Sequence, residues 1–340
     1  MIDKDYLLRM TKKILDIPSP SGFTENCRKQ LIEEIENLGF KAETNNYGNV
    51  IVSINGQKSK TVGISAHFDT LGAMVSAINS NGTLAFKTVG GPILPTYDGE
   101  YCLIHTRDGK TYNGTFLSNS PSSHVYRDAN SIDRNTSTMH IRIDELIQSK
   151  DDVKNLGIGN GNYISLDPKT IIFDNGFIKS RFLDDKICVS ILLTLLKYLS
   201  KHKVKLNTNL VFIFSCYEEV GFGASSIPEV DEFIACDMGC VGADLEGSAT
   251  KVSICSMDSS GPYDYELTGK LISSAQEKKL DYAVDVYPYY GSDVSAARRA
   301  GHDFKGALIG PGVEASHGME RTHLKGVIAT LELLIAYLTN

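Results

Sequence analysis

Apolar positions near the start of the chain recur at helical spacing, and later ones gather into short unbroken runs. Tyr6, Met10, Ile14 and Ile17 form one helical stripe, which Pro18-Ser19-Pro20-Ser21-Gly22 breaks. Cys27, Leu31, Ile35 and Leu38 form a second, with Gly39 in a C-cap position. Residues 49–54 read as a strand closed by a turn at Asn55-Gly56. The run Thr61-Val62-Gly63-Ile64-Ser65-Ala66 reads as another, stopping at His67-Phe68-Asp69-Thr70.

Between residues 71 and 167 the pattern changes. Short alternating runs are separated by Asn81-Gly82, Asp108-Gly109 and Asn113-Gly114, each a hairpin or turn signal. Residues 118–137, rich in Ser, Asn and Asp, read as a long functional or mobile loop, and a short helix is expected at residues 143–149. This region is an inserted β-rich module. Past Asp174-Asn175-Gly176, another hairpin signal, helices and apolar strands alternate again. Residues 186–202 predict a strong helix with Ile187, Ile191, Leu195 and Leu199 on one stripe. Strands are expected at 210–214, before Glu218-Glu219, at 233–236, before Asp237, and at 307–309, followed by a loop over 310–317. Helices are expected near 265–278, 293–300 and 325–338. The pattern predicts an α/β fold, a mainly parallel sheet flanked by helices, built from residues 1–70 and 168–340 with residues 71–167 inserted.

Composition narrows the function. Hydrophobic residues at 42% and charged residues at 22% suit a globular protein with a sizeable core. With 34 basic against 41 acidic residues the formal charge is −7, so no nucleic-acid partner is expected. The longest apolar stretch, residues 187–196, is about half a membrane span, and the N-terminus carries no signal-peptide core. No membrane partner is expected either. Seven cysteines without a C-x-x-C, several of them in apolar runs, point to a reduced, cytoplasmic compartment.

Several groups able to do chemistry follow apolar strands. His67-Phe68-Asp69, Glu218-Glu219 and Asp237 each end such a run, Asp184-Asp185 open the strong helix, and His317 follows the last strand. Strand ends of one polarity border a common crevice, where imidazole and carboxylate groups can hold divalent cations. Taken singly, Asp184 suits a helix cap, Asp69 and Asp237 suit turns, and His317 suits the surface. Glu218-Glu219 resist such a reading, because adjacent acids at a buried strand end repel unless a cation or helix terminus compensates. Gly157-Ile158-Gly159-Asn160-Gly161 lacks the spacing and context of a dinucleotide site, and neither G-x-S-x-G nor H-E-x-x-H occurs.

The ordered set Ala66-His67-Phe68-Asp69, Leu183-Asp184-Asp185-Lys186, Glu218-Glu219-Val220-Gly221, Asp237 and Ser316-His317-Gly318 resembles the glutamyl aminopeptidase family of cocatalytic metallopeptidases, which includes the tetrahedral (TET) aminopeptidases. Pro18-Ser19-Pro20-Ser21-Gly22 and Gly291-Ser292-Asp293 resemble it too. An early β-rich insert favours this family over carboxypeptidase and deacylase relatives, whose extra domain comes later in the chain.

The resemblance implies two divalent ions per subunit, zinc or cobalt first and manganese as a further option. His67, Asp184 and Asp237 would hold one ion, and Asp184, Glu219 and His317 the other, with Asp184 bridging. Asp69 would orient His67, and Glu218 would be the general base for a metal-bridged hydroxide that removes N-terminal residues from peptides. The resemblance also implies that the insert is a barrel-like dimerisation domain and that homo-oligomers build from dimers to dodecamers. A related di-metal amide hydrolase (N-acyl amino acid deacylase or carboxypeptidase) and a non-catalytic scaffold on the same fold remain alternatives. The chain departs from the family pattern at Thr70, often an acid, and at Lys186, often Arg; His323, six residues past His317, is a rival ligand.

Overall fold

The structure is a computed structural model that describes residues 2–339. These divide into two compact units, one formed by the chain up to Asp69 and from Lys169 onward, the other by Thr70–Pro168.

The first unit opens with α1 (Lys4–Leu15) and α2 (Glu25–Asn37). Asp3 caps α1 by accepting from the Tyr6 amide at 3.0 Å, and Leu7, Met10 and Ile14 bury its apolar face. Cys27, Leu31 and Ile35 do the same for α2, and Gly39 follows with φ +88°, a left-handed conformation natural to glycine at a helix end. Then come β1 (Glu43–Thr44), β2 (Val50–Ile54) and β3 (Thr61–His67).

The second unit contains β4 (Gly72–Ile78), β5 (Leu84–Val89), β6 (Tyr101–His105), β7 (Thr111–Ser118), β8 (Met139–Ile143), α3 (Lys150–Asn155) and β9 (Tyr163–Leu166). Its strands close into a barrel in the order β4-β5-β8-β7-β6-β9. Phe86 and Phe116 meet edge to face at 5.1 Å, and Ile104, Ile141 and Ile164 are fully buried. Asn81-Gly82 and Asp108-Gly109 lie at strand connections, whereas Asn113-Gly114 lies inside β7. Gly114 is needed there for close approach, since a Cβ would come within 2.9 Å of the Arg142 carbonyl oxygen. The helix expected at 143–149 instead occupies α3, because a reciprocal cap between Ser149 and Asp152 sets its start.

Back in the first unit are β10 (Ile171–Ile172), β11 (Phe177–Ser180), α4 (Leu183–His202), β12 (Asn209–Ser215), β13 (Glu232–Cys236), β14 (Gly239–Cys240), β15 (Val252–Asp258), β16 (Gly261–Pro262), α5 (Tyr265–Glu277), β17 (Tyr282–Val286), α6 (Asp293–Arg299), β18 (Lys305–Val313), β19 (Glu320–His323) and α7 (Leu324–Thr339). The main sheet runs β1-β2-β12-β3-β13-β18-β15-β16, with β14 on β18 and β17 on β15. Its centre, β12, β3, β13 and β18, is parallel. Antiparallel pairs flank it: β2 joins β12 on one side and β15 joins β18 on the other. The sheet is therefore mixed around a parallel core, and residues 310–313, expected as loop, extend β18. Helix α4 is buried on nearly every face from Leu183 to Leu196, which explains its apolar run without a membrane. Among the described residues no helix is long and apolar enough to cross one.

Candidate metal centre

The parallel register of β12, β3, β13 and β18 brings four carboxyl ends to one edge of the sheet. His67 ends β3, Glu218 and Glu219 follow β12, Asp237 follows β13, and His317 comes four residues after β18. Asp184 and Asp185 sit at the start of α4, with non-helical backbone, and the peptide between them is cis. Phe182, Tyr217, Ala315 and His317, which flank or belong to these segments, all have left-handed φ between +55° and +76°. Left-handed backbone at non-glycine residues is costly and gathers where function demands a geometry.

The side chains converge. His67 Nε2 lies 3.1 Å from Asp184 Oδ1 and 3.7 Å from Glu218 Oε2. His317 Nε2 lies 3.5 Å from Asp184 Oδ2 and 3.6 Å from Glu219 Oε2. Asp184 thus presents one oxygen to each histidine. Among the described residues two groups have ligand atoms all within 4.8 Å of one another: His67, Asp184 and Glu219, and His67, Asp185 and Asp237. The second contains Asp185 where the resemblance would put Asp184; the sequence analysis names Asp185 beside Asp184 but gives it no ligand role. Its Oδ2 accepts from the His67 amide at 3.2 Å, and its Oδ1 has no partner.

Asp69 is fully buried beneath this cluster. Its backbone oxygen is 3.1 Å from His67 Nδ1 and its Oδ1 is 3.5 Å away, contacts suited to fixing that ring. The Asp69 carboxylate also accepts from the Ser21 hydroxyl at 2.5 Å and from the amides of Glu218 at 3.2 Å and Glu219 at 3.3 Å. Ser21 belongs to the Pro18–Gly22 segment noted in the sequence, and Ser19 beside it donates to the Phe68 carbonyl at 2.7 Å. Asp293, from the Gly291-Ser292-Asp293 phrase, accepts from the Ser215 hydroxyl at 2.6 Å and the Ala224 amide at 2.9 Å, bracketing the segment that carries Glu218.

Two imidazoles amid this many buried acids make a distinctive electrostatic problem. Burial pushes Glu218 and Glu219 well above the usual carboxylate range; the charge of Asp237 adds to this for Glu218 and that of Asp184 for Glu219. Burial and the charge of Asp184 push Asp237 up to about 7. Burial also works against the charge on Asp184, but hydrogen bonds from His317 and His67 hold its carboxyl below the usual range. For His67 burial opposes protonation, and Asp184 and Asp69 outweigh it. Divalent cations would offset this crowding of negative charge. The residues fit such ions: the donors are imidazole and carboxylate, and Glu219 Oε1, like Asp185 Oδ1, is buried without a partner.

His323 stands elsewhere. In β19 it packs edge to face on Phe177, its Nε2 is 3.0 Å from the Asn175 carbonyl oxygen, and its Nδ1 accepts from the Lys325 amide at 3.0 Å. Both ring nitrogens are engaged, which removes it as a rival to His317.

The family model for M42 glutamyl aminopeptidase matches residues 48–333. The chain belongs to the M42 glutamyl aminopeptidase family. It is a peptidase of the aminopeptidase class, and the family's metal dependence meets a suitable set of donors here. The putative aminopeptidase YhfE of Bacillus subtilis (strain 168) is 43% identical to it over 98% of this chain and 97% of that one. Lysyl aminopeptidase of Pyrococcus furiosus is 22% identical over 64% of this chain and 61% of its own. Among solved structures, the TET1 peptidase of Pyrococcus horikoshii, described as assembling into a tetrahedron or a large octahedral shell, superposes with a TM-score of 0.86 at 24% identity, covering 98% and 99% of the two chains.

Proposed function

We propose that this M42 protein is a two-metal aminopeptidase in which His67, Asp184 and Asp237 hold one ion and Asp184, Glu219 and His317 the other. The observation that carries this reading is Asp184, whose two oxygens face His67 and His317 separately, the arrangement of a bridging ligand. Asp185 is a supplementary donor beside Asp237. Zinc and cobalt suit these nitrogen and oxygen ligands, as does manganese. Bound there, two such ions would acidify a water and polarise the scissile carbonyl.

The chain's own residues do the rest. Glu218, whose carboxyl burial pushes well above the usual carboxylate range, takes a proton from the attacking water and returns it to the leaving amine. Asp69 fixes the His67 ring and, through the Glu218 and Glu219 amides, the segment that carries the base. Ser21 orients Asp69 in turn. The barrel of residues 70–168 supplies the surface through which copies pair, with dimers building toward dodecamers; the oligomeric TET1 peptidase of the same fold supports this.

Two variants test the assignment. Glu218→Gln is expected to keep both ions and lose about 10²–10⁴ in kcat. Asp184→Ala is expected to lose metal and activity together. Full activity in Asp184→Ala would overturn the bridging role.

A further inference from the structure

Strands β11 and β19 do more than make a small sheet. Strand β11 ends at Ser180, four residues before Asp184, and β19 begins at Glu320, three residues after His317. Their antiparallel ladder pairs Ser180 with Glu320, so it brings two ligand-bearing arms from distant parts of the sequence to the same rung. Beyond that rung neither arm is regular: Asp184 is non-helical (φ −73°, ψ 103°) and His317 is left-handed at φ +62°.

The Glu320 side chain, buried to 2% exposure, closes this gap. Its Oε2 accepts from the Asp184 amide at 3.0 Å and its Oε1 from the His317 amide at 3.1 Å. Arg181 adds a second tie between the arms, donating from Nη1 to the Gly318 carbonyl at 3.2 Å.

We infer that Glu320 is a positioning residue, whose two carboxylate oxygens lock the Asp184 and His317 backbones together and so set the geometry of the ion that the two side chains share. This rests on the ligand set proposed above. The chemistry of the group supports it. A carboxylate accepts at both oxygens, whereas glutamine offers one acceptor and one donor and can serve only one of the two amides. Packing alone gives no reason for an acid here, because an apolar side chain of similar volume would fill the space without placing a carboxylate near that of Asp184. The locked arms are those whose side chains meet, with His317 Nε2 at 3.5 Å from Asp184 Oδ2.

Glu320→Gln, nearly isosteric, tests the inference in the full-length protein. Wild type and variant are stripped of metal, melted, titrated with Zn²⁺ or Co²⁺ against a chromophoric chelator, and assayed for kcat and KM. The expected variant melts within a few degrees of wild type without metal and binds one of two ions about 10–100-fold more weakly. Its kcat falls by a comparable factor at limiting metal, KM changes little, and excess metal restores part of the rate. Wild-type affinity for both ions with wild-type kcat would overturn the inference. So would a large fall in the metal-free melting temperature with both ions and activity lost together, because that marks a structural role only. A wild-type protein that itself binds fewer than two ions would overturn the two-metal reading directly, and this inference with it.

Discussion

Replacing Asp69 by Asn tests how the site is held together. In the wild type one buried carboxylate accepts from the Ser21 hydroxyl and from the amides of Glu218 and Glu219, and its Oδ1 faces His67 Nδ1 at 3.5 Å. An asparagine keeps one oxygen and turns the other position into a donor, so at least one of the three donors is left facing an N–H. A hydrogen bond to a charged acceptor contributes about 1.5–3 kcal/mol, and an unsatisfied buried donor costs about 1–3 kcal/mol. Release from burying a charge offsets part of that loss, so a net destabilisation of about 1–3 kcal/mol is expected. For a unit of this size that corresponds to a fall in Tm of roughly 2–12 °C. Loosening the His67 ring and the Glu218 segment should also lower kcat by about 10–100-fold, as is usual when the partner of a metal-bound histidine is changed. Thermal melts and steady-state kinetics on aminoacyl anilides, with metal content measured in parallel, supply the numbers. A variant with wild-type Tm and wild-type kcat would refute the reasoning.

Three further outcomes follow from particular contacts. Gly223→Ala would place a Cβ 2.1 Å from Asp293 Oδ1 and 3.1 Å from the Glu218 Cα, so it should displace the Glu218 segment and lower kcat more than it raises KM; unchanged kinetics would contradict the packing described. His323→Ala should leave metal stoichiometry intact and activity within a few-fold, since both ring nitrogens are bonded to the chain, and loss of an ion would reinstate it as a ligand. Glu232, buried at the start of β13, is favoured by burial toward its neutral form, but Lys60, Tyr337 and Lys270 outweigh this and hold its carboxyl below the ordinary 4.5. Its ionised form therefore stabilises the fold at pH 7, by about 1–2 kcal/mol relative to Glu232→Gln. That difference should shrink as pH falls below about 4.5 and vanish below the folded-state value; a gap that grows on acidification would reverse the sign.

The centre of the sheet was legible because its strands are short apolar runs that stop at polar residues. His67, Glu218, Glu219 and Asp237 each stand just past such a stop. The outer strands were not. The β15 sequence, Val252 to Asp258, mixes polar residues with apolar ones and lies among Gly, Ser and Asp, so no alternation marks it. Asn113-Gly114 has the composition of a turn, yet barrel closure makes it strand, a case of tertiary packing overriding local preference. The anchoring roles of two acids, one of them standing in the quoted Asp184-Asp185 pair, were hidden for another reason. Glu320 and Asp185 contact the backbone amides of Asp184, His317 and His67, and an amide is present at every non-proline residue, so no motif or spacing announces its partner. Pro18–Gly22 and Gly291–Asp293 stood out as phrases, but only the fold connects Ser21 to Asp69 and Asp293 to the Glu218 segment.

The central claim is that a metal-loaded site removes residues from free N-termini. Its most direct test is hydrolysis of a mixed peptide pool by zinc- or cobalt-loaded protein, run beside the same peptides N-acetylated and with a chelator control. The account predicts cleavage of the free-amine peptides alone, abolished by the chelator and restored by metal, with the released amino acids reporting side-chain preference. Equal cleavage of both pools, or cleavage that survives chelation, would contradict it.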